Sequence, residues 1–212
     1  MYYIFSLNVG YLIGSIPFSL LLGKIFYKKD IREAGSGNLG ATNAGRVLGK
    51  KIGIATLLLD LLKCSLSVLI IFLLLRNNPD ITYLSHYLYL AGIGALIGHC
   101  YPLFASFRGG KAVASTFGFL LIMNLYLFLI GVVLFFLILK LTKTVSLSSM
   151  FSLVFVAILS FLPIFNNSLL LGVNLDLAFS ITLLVMVSLV IYRHESNIVK
   201  IMNRSENKVT WL

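Results

Sequence analysis

Acidic residues are scarce. The 212-residue chain has 7 Asp and Glu against 17 Lys and Arg, and charged residues together make up 11% of it. Soluble domains carry about 25% charged residues, so a water-soluble globular fold is excluded, and with it a nucleic-acid module on a soluble scaffold. Two cysteines, Cys64 and Cys100, are too few for a disulfide framework. Both lie in apolar stretches and are expected to be small buried hydrophobes. No Cys/His cluster has metal-ligand spacing and no carboxylate cluster suits a metal, so neither metal nor cofactor is expected. No basic residue precedes Lys24. The N-terminus therefore lacks the charged region of a cleaved signal peptide and reads as a retained first membrane helix. No repeat, low-complexity segment or long linker divides the chain, which is read as one membrane-embedded domain, 1–212.

What the chain has instead is apolar length. Hydrophobic residues make up 59% of it and mean hydropathy is +0.99, values of an integral membrane protein. The net charge of +10 then has a plain origin, because cytoplasmic loops collect Lys and Arg; no nucleic-acid partner is implied. Apolar stretches run over 3–23, 52–75, 84–105, 113–139, 147–165 and 175–192. A helical span needs ~20 residues. Backbone in lipid must satisfy its own hydrogen bonds, so each stretch should be helical.

Basic residues orient these spans. Lys24, Lys28, Lys29, Arg32, Arg46, Lys50 and Lys51 crowd the first loop, which should be cytoplasmic with the N-terminus outside. The loop with Arg108 and Lys111, the loop with Lys140 and Lys143, and the tail with Arg193, Lys200, Arg204 and Lys208 should also be inside. Stretch 113–139 then begins and ends on one side, so it cannot be a single crossing. As one helix it would be ~40 Å long. It reads as two short helices turning near Met123–Asn124, tolerated at membrane depth if packed against protein. The expected fold is all-α with seven transmembrane helices, the fourth and fifth short, N-terminus outside and C-terminus cytoplasmic. All basic residues except Lys63 and Arg76 then lie near the cytoplasmic face.

The polar interest is on that face. Residues 34–46 read Ala-Gly-Ser-Gly-Asn-Leu-Gly-Ala-Thr-Asn-Ala-Gly-Arg. Glycines such as Gly37 and Gly40 let backbone N–H groups converge on an anion. Ser36, Thr42, Asn38 and Asn43 add donors, and Arg46 supplies a bidentate fork for phosphate. A flexible polar linker is the competing reading. Residues 107–115 read Phe-Arg-Gly-Gly-Lys-Ala-Val-Ala-Ser. Here Arg108, Gly109, Gly110 and Lys111 precede a helix whose N-terminus suits an anion. This is no Walker A loop: Ala112 stands where a magnesium-holding Ser or Thr would be, so ATP hydrolysis is not implied. A basic anchor with glycine packing is the alternative.

His194 and Asn197 open the cytoplasmic tail and share a face if the last helix continues. A His there titrates near neutral pH and suits acid–base work, or is an interfacial polar residue. His99, before Cys100-Tyr101-Pro102, serves equally as a packing residue. Asp60 and Lys63 lie inside the second apolar stretch at i, i+3. Ionisable residues there suggest function, but a structural pair with Lys63 reaching towards the cytoplasmic interface is preferred. No His-x-x-x-x-Asp pair of soluble-type acyltransferases and no Gly-x-Ser-x-Gly elbow is present.

Together the blocks resemble one family. Gly14-Ser15-Ile16-Pro17, the 35–43 block with Arg46, Gly98-His99 with Pro102, residues 109–115 and His194-x-x-Asn197-Ile198 are similar, in order and nearly end to end, to the bacterial acyl-phosphate:glycerol-3-phosphate acyltransferases of the PlsY type. The resemblance implies acyl transfer from acyl phosphate to the 1-hydroxyl of glycerol 3-phosphate, giving lysophosphatidic acid and inorganic phosphate. This is the first step of phospholipid synthesis, at the cytoplasmic face of the bacterial (inner) cell membrane, by a monomer. It further implies that Ser36, Arg46, Lys111, His194 and Asn197 are needed for activity, that residues 109–115 bind glycerol phosphate, that Ser146 is a further active-site serine and that Glu206 is structural. The chain departs from the pattern at Ser115 for threonine, Cys64 for glycine, Lys200 for arginine and Ser205 for glycine. A transporter of phosphorylated metabolites is the rival class. The nearly uncharged outer loops and the lack of inverted halves weigh against it.

Overall fold

The computed structural model describes residues 1–209, so the last three residues of the expected 1–212 domain lie outside it. Among the described residues every regular element is a helix, and a single antiparallel bridge joins Asn167 and Asn174. It divides into two compact units, Met1–Phe119 and a second that starts at Leu120.

The first unit holds α1 (Tyr2–Gly14), α2 (Phe18–Tyr27), α3 (Ala41–Leu48), α4 (Lys50–Leu75) and α5 (Leu84–Cys100), and the start of α6 (Val113–Met123). Pro17 cannot donate a helical N–H, and the run from Tyr2 to Tyr27 is broken at Ser15–Pro17 into α1 and α2. Helices α1 and α5 pack backbone to backbone. A Cβ on Gly10 or Gly14 would strike the main chain of Ala91 or Ala95, and one on Gly94 or Gly98 would strike the carbonyls of Leu7 or Tyr11. In lipid there is little hydrophobic drive between helices, so small residues that permit such approach supply the association. A smaller core gathers Leu20, Ile31, Leu39, Ala44, Leu48 and Ala105 around the loop between α2 and α3.

Charges inside this unit are paired. Lys63 Nζ lies 2.8 Å from Asp60 Oδ1 and donates to the Ile16 carbonyl at 3.0 Å. That carbonyl sits at the α1–α2 break. Lys63 is only 3% exposed, so the expectation that it reaches towards the interface is corrected: its ammonium turns inward to acceptors that the helix break provides. Cys64 and Cys100 are buried, free thiols, as expected.

The second unit holds α7 (Leu125–Thr142), α8 (Val145–Leu159), α9 (Leu177–Tyr192) and α10 (Glu195–Met202). The break expected in 113–139 falls at Asn124. Its Oδ1 accepts from Leu127 N–H at 3.0 Å, capping α7. Its Nδ2 donates to the carbonyl of Phe165 at 2.8 Å. One amide thus ends one helix, starts another and ties down the 163–167 turn. The two halves are unequal, which corrects the expectation that both are short. Helix α6 has 11 residues, but α7 runs past Lys140 to 18 residues and is long and apolar enough to cross a membrane. Asn124 lies near the middle of the 113–139 run, and the second half is the longer helix because α7 extends past the run through Lys140 to Thr142. Helices α9 and α10 bend by 61° at Arg193–His194.

Replacing Gly94 by Leu should lower the unfolding temperature in detergent by about 5–10 °C, as overpacking costs typically 1–3 kcal/mol. Leu74→Ala, on a residue 58% exposed, should leave it within about 2 °C. Equal effects in a thermal-shift measurement would disprove backbone packing as the basis of the α1–α5 contact.

Candidate active site

In the first unit, the 34–46 segment is an ordered loop rather than a loose linker. Asn43 lies beneath it, 2% exposed. Its Oδ1 accepts from the Ser36 N–H at 2.9 Å, and its Nδ2 donates to the carbonyls of Ile31, Ala34 and Asn38 at 3.2, 3.2 and 3.0 Å. Gly35 must pass over this amide at φ +63°, where a Cβ would strike Asn43 Oδ1. Ser19 Oγ donates to the Leu39 carbonyl at 2.7 Å and fastens the other side. With its amide so engaged, Asn43 is corrected from an open substrate donor to the pin of the loop. Ser36, Thr42 and Arg46 are exposed, and Gly37, Asn38 and Gly40 partly so. Thr42 and Arg46 stand one turn apart on α3, on the same helix face.

The loop is entered through a short ion-pair cluster. Asp30 Oδ2 lies 2.6 Å from Arg32 Nη2 and 3.6 Å from Lys24 Nζ, and Asp30 Oδ1 accepts the Arg32 N–H at 3.0 Å. The Arg32 side chain holds the Asp30 carboxyl down to a pKa of about 2, and Asp30 in turn raises that of Arg32.

The second segment is tightly seated. Gly110 N–H donates to the His99 carbonyl at 3.0 Å. A Cβ on Gly110 would run into His99 Nε2, and one on Gly109 into the carbonyls of His99 and Cys100. Ser106, Phe107 and Ala112 are non-glycine residues in the left-handed region, at φ 55°, 58° and 61°. Each such residue costs on the order of 1–3 kcal/mol and persists only when its surroundings dictate it. Arg108 is exposed and Lys111 half-buried at the start of α6. Ser115 is fully buried, with its Oγ donating to the Asp60 carbonyl at 3.4 Å. It is corrected from a substrate contact to an anchor of α6 on α4.

The second unit carries the other group. The helix does not continue through His194: the residue is the N-cap of α10 and is 3% exposed. Its Nδ1 is 2.7 Å from the Val190 carbonyl. A carbonyl only accepts, so Nδ1 carries the hydrogen and Nε2 is the acceptor of the neutral ring. Asn197 keeps its one-turn relation to His194 through its own N–H, which donates to the His194 carbonyl at 2.8 Å. Glu206 joins the parts: its Oε1 accepts from Asn197 Nδ2 at 2.7 Å and from Ser146 Oγ at 2.8 Å. The structure therefore brings Ser146, Asn197 and Glu206 together in one unit, and Ser36, Thr42 and Arg46 on one loop and helix in the other. Among the described residues no three His, Cys, Asp or Glu side chains converge as metal ligands. Sequence reasoning did not find the seating of Gly110 on His99; the Gly98-His99 pair ahead of a Gly-Gly step was the available sign.

Helices long and apolar enough to cross a membrane place the chain in the class of helical membrane proteins, and comparison with known proteins narrows it. The family model for glycerol-3-phosphate acyltransferase matches residues 4–204. Relatives of that name from Listeria monocytogenes serovar 1/2a and Bacillus subtilis strain 168 are 45% and 46% identical, covering 96% of this chain and 95% and 96% of theirs. The crystal structure of PlsY (YgiH), an integral membrane glycerol 3-phosphate acyltransferase, in its glycerol 3-phosphate form superposes with a TM-score of 0.83 at 28% identity, covering 98% of this chain and 96% of that one. Its lysophosphatidic acid form gives a TM-score of 0.81. The chain belongs to the glycerol-3-phosphate acyltransferase family and is a multi-pass membrane protein. Acylation of glycerol 3-phosphate, within phospholipid synthesis, is the activity that goes with the family.

Two outcomes follow from the first loop. Asn43→Ala removes four hydrogen bonds and should destabilise the fold by about 2 kcal/mol or more, with a matching fall in the thermal midpoint. Asp30→Asn should lower the midpoint modestly at pH 7. A carboxyl whose folded pKa is depressed contributes stability above its unfolded pKa and loses it as pH falls through the folded value. The difference between the two proteins should therefore close between about pH 4 and pH 2. A difference constant over that range would contradict the Asp30–Arg32 assignment.

Proposed function

We propose that this protein transfers a fatty acyl group from acyl phosphate to the 1-hydroxyl of glycerol 3-phosphate, releasing lysophosphatidic acid and inorganic phosphate. The observation that carries the reading is the 34–46 loop, pinned from below by Asn43 with Ser36, Thr42 and Arg46 left exposed. A loop fixed in this way offers donors to an anion without ordering cost. Acyl phosphate is a mixed anhydride, so its carbonyl is already activated. The hydroxyl oxygen attacks that carbon, the carbon–oxygen bond to phosphate breaks, and phosphate leaves. No acyl-enzyme is required. The protein's tasks are to neutralise two phosphates and align hydroxyl with carbonyl, worth up to ~7–11 kcal/mol, and to meet the developing oxyanion.

In this reading Arg46 clamps phosphate as a fork and Ser36 donates to phosphate or carbonyl. Gly37, Asn38, Gly40 and Thr42 line the same loop. Arg108, Gly109, Gly110 and Lys111 take the phosphate of glycerol 3-phosphate. The proton of the hydroxyl goes to the substrate's own phosphate, whose second pKa is near 6 by comparison with phosphorylated side chains. His194 polarises or positions, with Asn197, and Glu206 steadies Asn197 and Ser146. The chain works as a single-domain monomer with seven crossing helices, its N-terminus outside and its C-terminus cytoplasmic, with chemistry at the cytoplasmic face of the bacterial cell membrane.

Purified protein in detergent, given palmitoyl phosphate and glycerol 3-phosphate, should release phosphate and lysophosphatidic acid in equal amounts. Arg46→Ala should reduce turnover by on the order of 10²-fold or more. Turnover with an acyl-CoA or acyl carrier protein donor and none with acyl phosphate would overturn the donor. Loss of more than about three orders of magnitude in kcat, without change in KM, for His194→Ala would make His194 the base.

A further inference from the structure

The buried charges of α4 are connected, step by step, to the 107–115 loop. Lys63 Nζ is anchored on the Ile16 carbonyl at 3.0 Å and on Asp60 Oδ1 at 2.8 Å. His99 Nδ1 lies 3.5 Å from the same carboxylate oxygen. Asp60, Lys63 and His99 are 2%, 3% and 6% exposed. The His99 ring is the surface on which Gly110 rests, so closely that no Cβ fits between them. The His99 carbonyl accepts from the Gly110 N–H, and the Asp60 carbonyl accepts from Ser115 Oγ beyond the loop. Both ends of the glycine–lysine segment are thus tied to Asp60, one through His99 and one through Ser115.

A structural pair would need only Lys63 and Asp60. The third member, and its placement under a glycine, give the pair a further task. An imidazole has two accessible ring orientations, and a fixed carboxylate selects one. Without that carboxylate the ring is no longer held at Nδ1 and can swing about its side-chain torsions, carrying its edge away from Gly110. The loop would lose its floor at the point where Ala112, in the left-handed region, turns the chain into α6. Strained backbone of this kind holds its shape only while its surroundings dictate it.

We infer that Asp60, held by Lys63, is a positioning residue that orients His99 and thereby sets the geometry of the 107–115 loop, and so its affinity for the phosphate of the acceptor substrate. The inference rests on the reading that this loop takes glycerol 3-phosphate. Asp60 touches no substrate in this scheme. It acts through His99.

The test is steady-state kinetics on full-length Asp60→Asn, His99→Asn and Lys111→Ala proteins in detergent, with folding followed by thermal midpoint. Asp60→Asn should raise KM for glycerol 3-phosphate by about tenfold or more while kcat and KM for palmitoyl phosphate stay within about threefold. His99→Asn, whose amide can replace the Nδ1 donor but not the ring under Gly110, should do the same. Lys111→Ala reports on the loop directly. If it raises KM for glycerol 3-phosphate and the Asp60 and His99 variants do not, the positioning inference fails alone. If Lys111→Ala leaves that KM unchanged, the assignment of the loop fails, and the inference with it. A fall in kcat in parallel with lost folded protein, both KM values unchanged, would reduce Asp60 to a structural role. Should Asp60→Asn not fold, the Asp60→Asn/Lys63→Met double variant removes both charges together and is read by the same criteria.

Discussion

An ammonium group inside an apolar helix has to find acceptors within the protein, and Lys63 finds two: the Asp60 carboxylate and the Ile16 carbonyl. The same constraint recurs wherever this chain departs from continuous helix. Backbone groups freed by a break have no water to turn to in lipid, so a side chain must take them. Asn124 does so for the Phe165 carbonyl. Ser19 does so for Leu39 and Ser180 for Ser160. The helix breaks stay because specific polar residues stand next to them.

The two glycine-rich segments use that rule differently. In 34–46 a single amide, Asn43, collects one N–H and three carbonyls and leaves the hydroxyls and guanidinium on the other side exposed. In 107–115 the backbone is pressed onto the preceding helix, and shape is set by contact with His99 and by left-handed residues around it. One loop is pinned at its centre and the other is clamped along its length. Both arrangements fix main-chain direction in advance.

Much of this was legible in the sequence, for reasons that also explain what was not. Charge asymmetry and the parity of basic loops located the division of 113–139, because a polar side chain in an apolar run has few other uses than to cap. Its asymmetry was not legible, since α7 continues past the apolar run through Lys140 to Thr142. The polar residues of 34–46 were readable, but composition does not say which amide faces inward; Asn43 is buried and Asn38 only partly so. The same holds for Ser115, whose hydroxyl is turned towards Asp60. Whether the last helix continues through His194 was left open by the sequence, and the 61° bend at that point is something no periodicity records.

The spacing of Asp60 and Lys63 bears on how the chain enters the bilayer at all. Three residues apart on one helix, the two charges can meet as soon as that helix forms, before any neighbour has arrived. The segment then presents to lipid a dipole in place of two separate ions, whose exposure at the bilayer centre is costly. The link from Lys63 to Ile16, forty-seven positions earlier, is available only when the first helix pair is beside it. Biogenesis of this protein thus has an order written into one side chain: neutralisation within the segment at insertion, and capture of the broken first helix at assembly.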